Sequence, residues 1–506
     1  MIARERHASL GWWLAGSAVL LCGFALRLAY HGNGYPHPDE PIAYEVIKYM
    51  RQSGDWDTNW AKSALEPNLR YDQYNFSSYH YATFLFYRLV KLIPGTEAWR
   101  GLEDGFYVYR FFSVALALLA VWQTMRLGAR LGGRAIGLGV GALAAVALLL
   151  VQDAHYVRPE AFTTVLTLAV VGLCWPREKL HAGAVLGAGA LIGLLAACKV
   201  SMLLLVWLPL VPLSANWRET KQRWLVLGAL PLAVAAGFAV GAPGAVAHPA
   251  KFLYGVQQLM AQYAGIHPPH GHRDGGPVAD ILTRYFSATL GLPVLACFAL
   301  GTVALGWSRR WMELALLAGT VLLFAGYFGT RSVFFERNLS HVVPLLLVVA
   351  AFGAGEMIGW LSRRTRMPLA LLILVVAALL LARSVTMTGR LLGQEFSGVA
   401  EARHDDFERN LRAHYPEADW GDVRLDGAGL GKVAEHFRTS SAPALVRVSD
   451  YGDEWTSANL SRLTTRFATK LVGDFPATFP EVPVCTLTTY FRPHDRYYLV
   501  TGTQGP

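Results

Sequence analysis

The sequence predicts an all-α polytopic membrane protein that ends in a small soluble module of α/β or α+β type. Two observations support this fold class: apolar windows of membrane-crossing length recur along the chain, and basic residues collect in alternate turns between them. Of the 506 residues, 53% are hydrophobic and 16% are charged, whereas soluble domains carry about 25% charged residues. The chain is therefore expected to lie mostly in a bilayer.

Eleven windows of about twenty residues are apolar enough to be candidate transmembrane helices. They cover residues 11–30, 105–125, 135–152, 158–175, 182–198, 200–213, 224–246, 290–306, 312–330, 341–360 and 367–385. The windows 182–198 and 200–213 are separated only by Lys199, and the second of them is short for a span.

The orientation follows from the basic residues of the N-terminus and of the turns after the even-numbered spans. These segments contain Arg4, Arg6, Arg126, Arg130, Arg134, Arg177, Lys179, Arg218, Lys221, Arg223, Arg309, Arg310, Arg363, Arg364 and Arg366. Their only acids are Glu5, Glu178 and Glu219. The positive-inside rule then places the N-terminus in the cytoplasm. The net charge of +9 is explained by topology, so no nucleic-acid partner is predicted.

This orientation divides the chain into a transmembrane domain, residues 1–385, and a soluble extracytoplasmic domain, residues 386–506. Two large loops of the first domain, 31–104 and 247–289, are expected on the same outer side.

The first large loop contains two helix-like stretches, 40–52 and 79–93. The second stretch is apolar but carries Arg88 and Lys91, which suits a helix that lies in the membrane interface. The alternative, an extra span, would invert every later loop and break the pattern of basic residues.

The second large loop contains His267, His270 and His272. Clustered histidines suggest metal binding, but their spacing matches no helical ligand pattern. In the C-terminal domain the sequence predicts a helix near 397–414 and strands near 443–449 and 496–501.

Two adjacent acids, Asp39 and Glu40, follow the first span directly. Ionised groups at a membrane face are functional candidates because their burial is unfavourable. Asp39 is the candidate general base, and the alternative is that it caps the helix that follows it. Glu40 is expected to orient Asp39 or to bind the acceptor.

Several short segments, in this order and on one predicted side, resemble those of a known family. They are Asp39-Glu40 followed by AYEVIKYMRQSGDW (43–56), Tyr109-Arg110, HYVRPEAFTTVLTLAV (155–170), Lys199 within GLLAACKVSMLLL, and RNLSHVVPLLLVVAA (337–351). The pattern resembles the GT-C class of lipid-linked-sugar-dependent glycosyltransferases. The branch it is most similar to contains the protein O-mannosyltransferases and the aminoarabinose transferase of lipid A.

The resemblance implies a GT-C type fold and the transfer of a sugar from a polyprenyl-phosphate donor to an envelope glycan, lipid or protein, with inversion. The reaction would occur at the outer face of the cytoplasmic (inner) membrane. Glu160 stands where the family usually has Asp, and Asp153 with His155 supplies a competing second acid. Asp39 and Glu160 together could bind a divalent metal, but the sequence requires no cofactor.

A departing phosphate needs positive charge around it, and Arg can hold it through two parallel donors. The candidates for this role are Lys199, Arg158, Arg331, Arg337 and His341. Each of them could instead be an interfacial anchor.

The alternative function is a secondary transporter or a lipid flippase. Transporters place charged sites near the bilayer midplane and often show inverted repeats. In this chain the charged candidates collect at one face and no repeat is seen, which favours the transferase.

Overall fold

A computed structural model describes residues 2–32, 40–65, 70–101, 105–176, 181–215, 223–264, 279–333, 335–419, 429–450, 454–477 and 494–503. Asp39 and the histidines of the second large loop lie outside these described residues.

The described chain is mainly helical. Its α-helices are α1 (Ile2–Leu28), α2 (Glu40–Ser53), α3 (Ser77–Lys91), α4 (Glu97–Gly101), α5 (Phe106–Gly132), α6 (Arg134–Val146), α7 (Leu148–Gln152), α8 (Glu160–Cys174), α9 (Ala182–Cys198), α10 (Leu210–Ala215), α11 (Arg223–Gly241), α12 (Pro243–Ala247), α13 (Pro249–Ala264), α14 (Ala279–Thr289), α15 (Leu292–Trp307), α16 (Trp311–Leu314), α17 (Thr320–Gly329), α18 (Val343–Arg364), α19 (Leu369–Arg390), α20 (Val399–His414), α21 (Gly429–Thr439) and α22 (Glu454–Arg466).

Shorter helical segments connect several of these helices. The 3₁₀ segments are Trp60–Lys62, Asp153–His155, Val200–Trp207 and Glu336–Leu339. Two π-helical segments, Ala315–Gly319 and Leu391–Phe396, lie next to α17 and at the end of α19. The strands are β1 (Ala444–Asp450), β2 (Phe467–Phe475) and β3 (His494–Thr503).

Within the described residues, six helical segments are long and apolar enough to cross a membrane. They are Leu10–Leu28, Phe106–Gly132, Arg223–Gly241, Trp311–Gly329, Val343–Arg364 and Leu369–Phe396. A seventh results if Arg134–Val146 and Leu148–His155, which meet at a 60° bend, form one span. Four shorter apolar helices coincide with the remaining predicted windows. The chain is thus a multi-pass membrane protein, and the count of eleven spans stays a prediction.

Glycines bring two pairs of membrane helices into close contact. A Cβ at Gly193 of α9 would overlap the Val234 carbonyl of α11, and Gly301 of α15 faces the Val349 carbonyl of α18 in the same way. Small residues at such crossings let the backbones approach, which is how helices associate in a bilayer.

The first large loop is fastened to the end of α9. The Phe76 amide donates to the Cys198 carbonyl at 3.0 Å, and the Ser78 hydroxyl donates to the Leu194 carbonyl at 2.8 Å. The loop therefore meets the membrane domain beside Lys199. α3 has 15 residues, which is short for a span, and its interfacial position stays a prediction.

The C-terminal region contains a three-stranded antiparallel sheet in the order β1-β3-β2, flanked by α20, α21 and α22. β1, β3 and α20 match the predicted strands and helix within a few residues. β2 was not predicted, and its burial pattern does not alternate from residue to residue. Two register shifts also interrupt its pairing with β3. Runs of helix and strand arranged this way make an α+β module.

Candidate functional site

Glu160 is a buried acid that contacts two cations of the site. It opens α8 and is only 2% exposed. One of its oxygens, Oε1, accepts from Arg158 at 3.0 Å and from Lys199 at 2.8 Å. The other, Oε2, is buried without a hydrogen-bond partner among the described residues. A carboxylate in the first turn of a helix is also stabilised by the helix dipole. Glu160 therefore positions two cations through one carboxylate oxygen, and its other oxygen makes no hydrogen bond within the described residues.

Asp153 ends the bent helix and is buried like Glu160. Its Oδ2 has no hydrogen-bond partner in the described part of the chain, and its charge interacts with that of Glu160. The structure thus brings together the two acids that the sequence left as alternatives. A role in catalysis for either acid stays a prediction.

His155 is fixed by its surroundings. Its two ring nitrogens each lie 2.9 Å from a main-chain carbonyl, those of Val151 and Ala29. Its ring stacks on Phe396, with centroids 4.2 Å apart and planes 11° from parallel. These contacts connect the end of α1 with the π-helical end of α19.

Glu40 is completely buried at the start of α2. Arg110 donates to both of its carboxylate oxygens, at 3.1 and 3.0 Å, and the Val157 amide donates to Oε1 at 2.7 Å. These contacts fix the carboxylate of Glu40 at the start of α2, and its expected role in orienting Asp39 or binding the acceptor stays a prediction.

A cavity of about 900 Å³ lies beside this cluster. Two rows of the 3₁₀ segment that follows Lys199 face the cavity: residues 200, 203 and 206, and residues 201, 204 and 207. Spacing by three is expected for three residues per turn. The cavity is also lined by Val256, Leu259, Met260 and Tyr263 of α13, which are spaced as on one face of a helix. The walls are therefore largely apolar.

Three of the predicted cations line this cavity: Lys199, Arg331 and Arg337. Arg331 lies over the Tyr327 ring at 4.4 Å, and Arg337 lies over the Phe335 ring at 4.4 Å. Arg337 also interacts electrostatically with Glu160, so Arg337 and Lys199 lie on the side of the cavity next to that acid.

The other two predicted cations do not line the cavity. Arg158 is buried and paired with Glu160. His341 packs edge-on against Phe324 at 4.3 Å, and its Nε2 has no hydrogen-bond partner among the described residues.

Two buried charged residues were missed as site candidates. Glu336, within the 3₁₀ segment before α18, is 0% exposed, and neither carboxylate oxygen has a hydrogen-bond partner in the described residues. It interacts electrostatically with Arg337, Arg158 and Glu160. Arg27 is buried inside α1. For Arg27 the available signal was a charge within a strongly apolar stretch. Glu336 instead lies between two apolar windows, close to Arg331 and Arg337, where a charge gives no such signal.

No group of three or more His, Cys, Asp or Glu among the described residues could hold a metal ion. A site that included Asp39 falls outside these residues, so the divalent metal stays a prediction.

No protein-family model and no curated protein sequence matches the chain. Among solved structures, ArnT from Cupriavidus metallidurans in the apo state matches with a TM-score of 0.54 at 15% identity, over 99% of this chain and 100% of that one. The same protein bound to undecaprenyl phosphate matches with a TM-score of 0.52 at 14% identity, over 98% and 99% of the two chains.

The chain has the GT-C fold. The match to ArnT, an aminoarabinose transferase, confirms the predicted resemblance at the level of the fold and includes the C-terminal module, because it spans nearly the whole of both chains. The apo oligosaccharyltransferase of Archaeoglobus fulgidus is also similar, with a TM-score of 0.49 at 12% identity over 74% of this chain and 55% of that one.

Proposed function

We propose that this GT-C protein transfers a sugar from a polyprenyl-phosphate donor to an envelope glycan, lipid or protein. The observation that carries the proposal is the cavity of about 900 Å³, whose walls are apolar and whose cations Lys199 and Arg337 lie next to Glu160. An amphiphile with an anionic phosphate and a long apolar chain is complementary to such a cavity.

The ligand seen in ArnT supports this choice of donor. That protein has been crystallised with undecaprenyl phosphate, and its fold is shared over 98% of this chain. We infer that the cavity of this chain takes a ligand of the same chemical class.

The proposed chemistry is a single displacement with inversion. The acceptor hydroxyl oxygen attacks the anomeric carbon while the bond from that carbon to the phosphate oxygen breaks, and the phosphate leaves with the electron pair. Asp39, the residue before Glu40 in the chain, accepts the hydroxyl proton. Lys199 and the arginines of the cavity stabilise the charge that develops on the phosphate.

The proposed orientation follows the basic turns: the N-terminus is cytoplasmic, and both the site and the C-terminal module lie outside. A reaction there uses a donor that has already crossed the membrane.

The test uses the purified full chain in detergent, with lipid extract and envelope fraction from a strain that lacks the gene. Mass spectrometry follows loss of the lipid-linked sugar, appearance of the free polyprenyl phosphate and gain of one sugar by the acceptor. We expect these changes with the wild type and with the control variant Asp405→Asn, whose side chain is exposed on α20, but not with Asp39→Asn.

Detergent removes the barrier between the two faces, so a transporter or flippase would change none of these masses. Absence of transfer by the wild type would overturn the proposed function. Transfer by Asp39→Asn at the wild-type rate would overturn only the assignment of the base.

A further inference from the structure

A buried arginine of α1 holds the end of a broken membrane helix. The Arg27 guanidinium donates to the carbonyls of Ala144 at 3.2 Å and Ala145 at 2.9 Å, and to the Gly23 carbonyl of its own helix at 3.0 Å. The next carbonyl, that of Val146, accepts from the Thr388 hydroxyl of α19 at 2.8 Å. The last three carbonyls of α6 are thus satisfied by side chains of two other helices.

These contacts explain how the chain can bend at this point. α6 and the following helical segment meet at 60°, and Ala147 between them is extended, with φ −65° and ψ 120°. A helix end leaves its last carbonyls without partners, and such a group is strongly unfavourable in a bilayer unless another donor satisfies it. A cation there also stabilises the negative end of the helix dipole.

The space for this guanidinium is built into α1. A Cβ at Gly23 would lie 3.3 Å from the Arg27 Nη1 and 3.4 Å from the Ala145 Cβ. Gly23 therefore lets the Arg27 side chain lie between α1 and α6.

The segment after the bend contains Asp153 and leads to Glu160. Its far end is held just beyond the same helix, because the Ala29 carbonyl lies 2.9 Å from the His155 Nε2. Arg27 contacts the chain before the bend and the Ala29 carbonyl contacts His155 after it, so both sides of the bend are held against the end of α1.

The geometry points to Arg27 as a positioning residue that, with Thr388, fixes the bend in the chain and thereby the placement of Asp153 beside Glu160 and Lys199. The inference rests on the proposed function for the role of these acids. The contacts between Arg27 and the bend can be tested without it.

The test is hydrogen–deuterium exchange of the full chain in detergent, read by mass spectrometry on peptides covering residues 147–158. We expect Arg27→Met to raise exchange there about tenfold or more, because local opening sets the rate. Thr388→Val and Arg27→Lys should have smaller effects in the same peptides. Both weaker variants keep the experiment informative if Arg27→Met does not fold.

The matched control is Arg383→Met. Arg383 also donates from α19 to a main-chain carbonyl, and that carbonyl, of Ala288, belongs to α14 rather than to the bend. Its removal should raise exchange near residue 288 and leave residues 147–158 unchanged. Unchanged exchange there in all three variants of Arg27 and Thr388 would overturn the inference.

A kinetic measurement separates positioning from folding. In the transfer assay, Arg27→Met should lower kcat about tenfold with less than about threefold change in KM, and Arg27→Lys should recover part of kcat. Faster exchange without any transfer by the wild type would sink the proposed function and leave this inference standing. Transfer by the wild type with unchanged exchange in the variants would support the proposed function and overturn this inference.

Discussion

Lys199 donates to Glu160 at 2.8 Å while it also lines the apolar cavity. It is held between α9 and a 3₁₀ segment with an extended backbone, φ −140° and ψ 119°, which interrupts the apolar run at that one residue. The side chain is 12% exposed, whereas Glu160 is 2% exposed. The ammonium therefore lies between a buried acid and the interior of the cavity.

Lys199→Gln should weaken binding of undecaprenyl phosphate about tenfold or more, because a hydrogen bond to a charged group contributes about 1.5–3 kcal/mol. Titration of the full chain in detergent, read by thermophoresis, measures the affinity. Lys251→Gln is the control, since Lys251 is half exposed and paired with Asp72 outside the cavity wall. Equal affinities for the wild type and Lys199→Gln would contradict the assignment of Lys199 to the phosphate.

Arg110→Met should destabilise the protein by about 3–5 kcal/mol, because it leaves the buried Glu40 carboxylate without its ion pair. Glu40→Gln should cost less, since the amide can still accept from the Val157 main chain. The double variant should lose less unfolding free energy than the two single variants lose in total. Unfolding of each variant in denaturant, followed by tryptophan fluorescence, measures the coupling. Strict additivity would show that the two residues do not act as a pair.

The helices and the cations of the site follow from local sequence, whereas the contacts between distant residues do not. Each apolar window coincides with one helix or with consecutive helical segments. Lys199 interrupts the helical structure, as its place between two windows suggested. The bend after α6 lies at Ala147, so neither a proline nor a glycine marks this position in the sequence. Its cause is Arg27, which contacts a carbonyl 118 residues away. Glu40 and Arg110 are 70 residues apart in the chain. Both were noted in the sequence, but the sequence does not reveal that they form an ion pair.

Glu336→Gln should leave the free energy of unfolding unchanged or raise it by about 1–3 kcal/mol, because a buried carboxylate with unsatisfied oxygens is unfavourable in the fold. It should also slow sugar transfer, because it removes the negative charge that acts on Arg158 and Arg337. Denaturant unfolding and the transfer assay measure the two effects. Glu313→Gln, which breaks a partly exposed pair with Arg310, is the control and should not slow transfer. Marked destabilisation by Glu336→Gln would indicate a structural role.

Acid should destabilise the first large loop through His80. Burial lowers the pKa of this histidine to about 3, and neither ring nitrogen has a hydrogen-bond partner among the described residues. Below its ordinary pKa of 6.5, the unfolded chain takes up a proton that the folded chain does not. Stability therefore falls as the pH drops from about 6.5 toward 3, by at most about 1.4 kcal/mol per pH unit.

Between about pH 7 and pH 4.5, the Tm of the wild type should fall more than that of His80→Phe, in which this proton uptake is absent. His248→Phe, at an exposed position, should behave as the wild type does. Parallel Tm curves for the wild type and His80→Phe would mean that His80 titrates normally in the folded loop.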